Sequence, residues 1–191
     1  MAVKKITKYI LLYTFAMPYS SLMEGLTDQQ IRNRRKIAYI RDFNEAFELV
    51  KSVVLQKFKM HRAGLSLILQ VMPSNLGAYH ILGSNALVMN SYILAAVKRI
   101  AHSNEEFNSY IFMVLAHEYL HSLGLGDEGT VRQMTYDLCR WSLGDDHIAT
   151  KMAKEDPSIL YPELKSITQL YFGKEFEVIR NFDKANQTYI Q

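Results

Sequence analysis

The stretch from Ser103 to Gly124 constrains the fold of this chain more than any other part of the sequence. Ser103 followed three residues later by Glu106 forms a capping-box pattern, which predicts the start of a helix. Apolar residues dominate the positions that follow, and Gly124 is typical of a residue that ends a helix. The sequence therefore predicts one long helix, on which His117 and His121 lie one turn apart on the same face.

Shorter elements are predicted on both sides of this helix. Asp42 and Glu45 form a second capping-box pattern, and the apolar residues from Phe43 to Phe58 recur at helical spacing. The dense apolar run 65–72, which ends before Pro73, predicts a buried strand. Further strands are predicted at 78–82 and 86–89, and further helices at 92–101, 131–141, 148–154 and 161–172. We expect one α+β domain, residues 42–191, preceded by a segment, residues 1–41, to which no role is assigned.

Cysteine content and hydropathy limit the cellular compartments in which we expect this chain. Cys139 is the only cysteine in the 191 residues, which excludes an intramolecular disulfide and favours a reducing cytoplasm. The apolar run 9–17 behind Lys4 and Lys5 has the form of a short signal-peptide core, but Lys8 and the lack of an A-x-A cleavage site argue against one. No stretch reaches the roughly 20 apolar residues that span a bilayer. We expect a cytoplasmic protein, with secretion or membrane association as the minor alternative.

The chain has a small positive charge that is unevenly distributed. Its 22 Lys and Arg residues exceed its 19 Asp and Glu residues by three. The excess is concentrated near the N-terminus, in Lys4, Lys5, Lys8, Arg32, Arg34, Arg35, Lys36 and Arg41. Such a cluster is compatible with a weak contact to nucleic acid or to an anionic surface.

The pattern His-Glu-x-x-His, formed by His117, Glu118 and His121, predicts a catalytic metal site. Two imidazoles one helical turn apart can bind a single zinc ion. Glu118 lies beside the first of them, where a carboxylate can take the proton of a metal-bound water as the water attacks a carbonyl group. A purely structural zinc site is disfavoured, because such sites are usually closed by several cysteines.

The third metal ligand is predicted just beyond the helix. Gly124 can adopt the left-handed conformation that turns the chain back, so that Asp127 can face the same metal. Asp127 could instead be the N-cap of the following helix. In that case Glu128 is the first alternative ligand, and the remaining candidates are Asp137, Asp146 and His147.

Four further side chains near this motif have weaker claims to a role. Tyr136, Arg132 and His147 can each donate to an oxyanion, although the sequence favours a solvated helix face for each of them. Met134 could pack beneath the metal, but its helical spacing is more typical of a core residue. We therefore assign none of the four to the site.

The run HEYLHSLGLGD resembles the extended zinc signature of the zincin metallopeptidases, in the metzincin-like version whose third ligand is Asp. The order of elements around it is similar to that of the minimal zincins, or minigluzincins. The resemblance implies a zincin-like α+β fold, in which a small mixed sheet with an antiparallel edge strand within 77–89 packs on the active-site helix. It also implies a peptide or protein substrate and one zinc ion per chain, with Glu118 as general base and His117, His121 and Asp127 as ligands.

A second family shares part of this pattern. The YbeY-like ribonucleases also have two histidines four residues apart, followed by Gly, but they carry Gly in place of Glu118 and His in place of Asp127. The peptidase interpretation is therefore favoured over two alternatives, a metal-dependent ribonuclease and a catalytically silent module that binds a partner or RNA. Charge reversal at Arg34 and Arg35 is expected to abolish binding by such a module.

Overall fold

A computed structural model describes residues 25–183, which form an α+β fold. Its helices are α1 (Asp28–Ala38), α2 (Phe43–Phe58), α3 (Ser91–Ile100), α4 (Asn104–Ser122), α5 (Glu128–Leu143), α6 (Ile148–Lys154) and α7 (Pro157–Leu160), and a 3-10 helix (Pro162–Ser166) follows. Its strands are β1 (Ser66–Gln70), β2 (Ala78–His80), β3 (Ala86–Asn90) and β4 (Phe176–Ile179). The predicted class is thus confirmed at the level of a mixed helix and sheet architecture.

The four strands form one mixed sheet in the order β2-β3-β1-β4. The two central strands, β1 and β3, run parallel, with Ser66 opposite Ala86. Both outer strands pair antiparallel with their single neighbours, β4 with β1 and β2 with β3. The first edge strand, β2, lies within the segment 77–89 and borders helix α4.

Helix α4 contacts elements on several sides: α1, α2, α5, α6 and β2 all pack against it. Phe112, Leu115 and Tyr119 have no exposed surface, and most of the other α4 side chains are also buried. A helix that is apolar around most of its circumference is stable only inside a core. The packing therefore holds α4 rigidly and fixes the positions of the side chains on its last two turns.

The predicted helix starts agree with the structure. Ser103 caps α4 by accepting a hydrogen bond from the N–H of Glu106 at 3.1 Å, and Asp42 caps α2 in the same way through Glu45 at 2.8 Å. In a full capping box the Glu side chain would accept a hydrogen bond from the N–H of the cap residue itself. Here each Glu side chain accepts instead from the N–H of the residue before the cap. The local sequence was therefore sufficient to place both starts.

The C-terminal prediction is wrong in part. The sequence predicts a helix over 161–172, whereas the structure has only the 3-10 helix and then irregular chain up to β4. Leu170, Tyr171 and Phe172 are each more than half exposed, so these apolar side chains find no core surface among residues 25–183 to pack against. A short helix without such packing is not stable in water. Strand β4, which the sequence did not predict, depends instead on its pairing with the distant strand β1.

Helix α1 was also missed by the sequence analysis. It lies before the predicted domain start at residue 42, yet it packs against α4 and α5, and Ile37 belongs to the same hydrophobic core as the rest of the structure. Thr27 caps it through the N–H of Gln30 at 3.2 Å. Four of its eleven residues are Arg or Lys, so the sequence shows little sign of the one face that is buried.

Two of the sequence-based predictions fall outside the described residues. These are the apolar run 9–17 and the basic residues Lys4, Lys5 and Lys8. Within residues 25–183, none of the helices combines the length and the apolar character needed to cross a membrane.

Candidate metal centre

The last two turns of α4 place two imidazoles side by side. His117 and His121 are four residues apart, which in a helix puts them on one face. Their ring centroids are 4.9 Å apart and their Nε2 atoms 3.2 Å apart. The packing of α4 thus presents two nitrogen atoms close to a common point.

The turn after α4 fixes the orientation of His121. Gly124 has φ of +96°, the left-handed region that ends helices and that other residues rarely adopt. The chain then places the carbonyl oxygen of Leu125 2.8 Å from Nδ1 of His121. In the neutral ring this contact requires the proton on Nδ1, which leaves Nε2 as an acceptor. The sequence analysis missed this contact, since a backbone carbonyl leaves no side-chain signal.

The same turn brings Glu128, the first residue of α5, back towards the histidine pair. Its Oε2 atom lies 3.2 Å from Nε2 of His121 and 3.4 Å from Nε2 of His117. His117, His121 and Glu128 offer three ligand atoms that all lie within 4.8 Å of one another, so the group could hold a metal ion. Burial alone would raise the pKa of Glu128, but the opposing interactions, led by the hydrogen bond from Arg132, outweigh it, and the pKa is lowered.

The chemistry of these three atoms favours a cation between them. The Nε2 atom of neutral His121 and the Oε2 atom of ionised Glu128 are both acceptors, and so is Nε2 of neutral His117. Burial lowers the pKa of His117, although the nearby Glu128 opposes the shift, and this favours the neutral ring. Acceptors that face one another at about 3.3 Å repel unless a proton or a metal ion lies between them. Two imidazoles and a carboxylate are a donor set that zinc commonly takes in catalytic sites.

Asp127, predicted as the third ligand, has a different place in the structure. It is the N-cap of α5, and its Oδ2 atom accepts a hydrogen bond from the N–H of Thr130 at 2.7 Å. This is the alternative that the sequence left open. The carboxylate that joins the histidine pair is that of Glu128, because the capping geometry turns Asp127 back onto its own helix.

The other alternative ligands are engaged elsewhere. The carboxylate of Asp137 accepts a hydrogen bond from Gln133 on α5, and that of Asp146 pairs with Arg34. His147 is the buried N-cap residue of α6. Of the five carboxylate and histidine candidates for the third position, only Glu128 therefore reaches the pair.

Glu118 lies between the two histidines in sequence and is 4% exposed. Its Oε2 atom makes no hydrogen bond to any residue that the structure describes. Burial, helped by the charge of Glu128, raises the pKa of Glu118 to about 8, and a backbone N–H of His80 acts in the opposite direction. A buried carboxyl oxygen without a partner is costly in a fold and is found at sites of function.

These side chains line a cleft of about 970 Å³. Strand β2 with Gly77 borders it, and residues of α4, α5 and the α6–α7 junction complete the wall. Arg132 and Tyr136 both line the cleft, and Arg132 donates a hydrogen bond to Glu128. His147 and Met134 are not part of its wall: His147 is the buried N-cap residue of α6, and Met134 packs against the hydrophobic core.

The basic residues near the N-terminus are only partly available to a ligand. Arg34 is 8% exposed, donates to the carbonyl of Leu143 and pairs with Asp146. Arg41 pairs with Glu45. Arg32, Arg35 and Lys36 are exposed on α1. Charge reversal at Arg34 would break a structural contact, so it cannot report on nucleic-acid binding alone.

Comparisons of this chain with protein-family models, with curated proteins and with solved structures each gave no match. The zincin resemblance therefore depends on the sequence motif and on the order of elements predicted around it.

Proposed function

We propose that this chain is a zinc-dependent peptidase, in which His117, His121 and Glu128 bind the metal and Glu118 is the general base. One observation carries the proposal: three acceptor atoms converge beside a buried carboxyl oxygen that has no hydrogen-bond partner in the described chain. Both features lie in one cleft, which is the arrangement that metal-assisted hydrolysis needs.

A zinc ion in such a site supplies a Lewis acid and lowers the pKa of water towards about 7. The protein contributes the base. Glu118 takes a proton from the attacking water and passes it to the leaving amine nitrogen, so that the C–O bond forms and the C–N bond breaks. A nearby cation favours the ionised carboxylate, so bound zinc would keep Glu118 able to accept the proton in spite of the raised pKa that burial gives it in the metal-free protein. Leu125 holds the ring of His121 in the tautomer that leaves Nε2 free for the metal.

The open edge of the sheet supports a peptide or protein as the substrate class. Within the described chain, β2 pairs with β3 alone, and its outer edge borders the cleft. An extended peptide can add to such an edge through main-chain hydrogen bonds, which do not depend on its side chains. We propose that β2 holds a peptide or protein substrate across the metal cluster in this way.

Metal content tests the site itself. We expect about one zinc per chain in the purified wild-type protein after exhaustive dialysis, measured by elemental analysis. His121→Ala should lose the metal, because it removes one of three ligands. His102→Ala is the matched control, since His102 is exposed and lies on the loop before α4. A wild-type protein that remains free of zinc after reloading at neutral pH would contradict the proposal.

Cleavage of a peptide library tests the chemistry. Glu118→Gln keeps the size of the side chain but cannot accept the proton, so hydrolysis should fall by at least about 1,000-fold. The zinc content of the variant should stay unchanged, because Glu118 is not one of the converging ligands. Hydrolysis by Glu118→Gln at the wild-type rate would exclude Glu118 as the base.

A further inference from the structure

The two oxygens of the Glu128 carboxylate have different neighbours. Oε2 faces the two histidine nitrogens, at 3.2 and 3.4 Å. Oε1 points to the other side and accepts a hydrogen bond from Nε of Arg132 at 2.8 Å. One oxygen is thus directed to the metal cluster, and the other is held by a guanidinium group.

Glu128 has little else to fix it. It is the first residue of α5, and its side chain is 55% exposed, so several rotamers are open to it. Arg132 lies one turn further along α5, the spacing at which helical side chains meet. The guanidinium group is planar, and a hydrogen bond to one carboxylate oxygen limits where the other oxygen can lie.

We propose that Arg132 is a positioning residue, which holds the Glu128 carboxylate with Oε2 turned towards the two histidines. The proposal rests on the metal site proposed above, since it assigns Arg132 to the orientation of one of its ligands. Partners that orient a ligand in this way commonly account for about 10- to 100-fold in metal affinity. The side chain of Arg132 is 71% exposed, so we expect a smaller effect than this, about 3- to 10-fold.

The sign of the effect separates positioning from simple charge. An arginine close to a cation site repels the cation, so removal of its charge alone would make metal binding tighter. Removal of a positioning contact makes metal binding weaker, because Glu128 must then be ordered when the metal binds. The two explanations therefore predict opposite changes in the same dissociation constant.

The first experiment compares two variants of the full chain. Arg132→Met removes the donor and the charge but keeps a long side chain. Arg140→Met is the matched control, because Arg140 is also an exposed arginine on α5 and pairs with Asp145 instead of the cluster. The zinc dissociation constant is measured by competition with a chelator, and urea unfolding of the metal-free proteins checks that both variants fold.

We expect the dissociation constant of Arg132→Met to rise by about 3- to 10-fold over that of Arg140→Met. An equal or lower constant would overturn the proposal. A wild-type protein that binds no zinc would overturn the proposed function as well, whereas zinc binding with an unaffected Arg132→Met variant would overturn only the role of Arg132.

Discussion

The charged cluster around Lys51 and the cluster in the cleft differ in how donors and acceptors are matched. Lys51 donates to Asp183 and to Glu48, both at 2.7 Å. The second oxygen of Asp183 accepts from the backbone N–H groups of Gly64 and Leu65, at 2.8 and 3.2 Å. The side chains of Lys51 and Asp183 are 5% and 1% exposed, so this pair is buried and every contact joins a donor to an acceptor.

The cleft cluster has the opposite composition. His117, His121 and Glu128 bring acceptors together, and the buried oxygen of Glu118 beside them has no partner in the described chain. A matched cluster is complete within the protein and serves the fold. A cluster of converging acceptors needs a proton or a metal ion between its atoms, and the unpartnered oxygen of Glu118 beside it favours function over stability as the explanation of these residues.

The largest expected effect is on thermal stability: addition of zinc should raise the unfolding midpoint by binding to His117, His121 and Glu128 in the cleft. A ligand present at about 1,000 times its dissociation constant stabilises the folded state by about 4 kcal/mol, which for a chain of this size is about 10 °C in the unfolding midpoint. Thermal unfolding with and without zinc measures it. His102→Ala should keep the gain and His121→Ala should lose it, and an equal gain in both variants would place the zinc elsewhere.

Asp183→Ala should destabilise the fold by about 3 kcal/mol, because it leaves Lys51 buried without its main partner. Urea unfolding of the metal-free protein gives the free energy of unfolding. Asp145→Ala is the control, since Asp145 and its partner Arg140 are both more than half exposed and such pairs contribute at most about 1 kcal/mol. Zinc affinity should be unchanged in both variants. If Asp183→Ala and Asp145→Ala had the same free energy of unfolding, the buried Lys51–Asp183 pair would not serve the stability of the fold as argued above.

Acid should weaken the Lys51 cluster. Burial alone would raise the pKa of Asp183, but the hydrogen bonds from Lys51 and from two backbone N–H groups outweigh it, and the pKa is lowered. A carboxyl group with a lowered pKa stabilises the fold above its unfolded pKa of about 4, and this stabilisation is lost as the pH falls through the folded value. The gap in unfolding free energy between wild type and Asp183→Asn should therefore narrow from about pH 5 to about pH 3. A constant gap would contradict this assignment.

The smallest expected change in stability comes from Asp127, and a comparison with Glu128 distinguishes the roles of these two acidic residues at the start of α5. Asp127→Ala should lower stability slightly through loss of the cap, and it should retain zinc. Asp127→Asn, which can still cap, should restore most of the stability. Glu128→Ala should lose zinc. Loss of zinc in Asp127→Ala with retention in Glu128→Ala would reverse the ligand assignment.

The helix with the His-Glu-x-x-His pattern was predictable because its signals are local. A cap at Ser103, a continuous apolar stretch and Gly124 define α4, and helical geometry then pairs His117 with His121 without reference to any other part of the chain. The core strands β1 and β3 were found for the same reason, since a short dense apolar run marks a buried strand.

The missed elements depend on partners that lie far away in the sequence. Helix α1 carries four arginines and lysines among its eleven residues and buries only a narrow face, so its sequence resembles a polar turn until α4 and α5 are in place. Strand β4 has little pattern of its own and depends on β1. The apolar residues after the 3-10 helix have helical spacing, but they lack a surface to pack on within the part of the chain that the structure describes.

The sequence by itself determined the histidine pair, the adjacent Glu118 and the turn at Gly124, because residues within one helix and its cap meet through local geometry. Only the tertiary structure decided which acidic residue joins them. Asp127 and Glu128 are neighbours with the same charge, and capping engages the first while the path of α5 brings the second to the histidines. The tertiary structure also made Arg34 a buried structural residue, since its contacts lie more than 100 residues away.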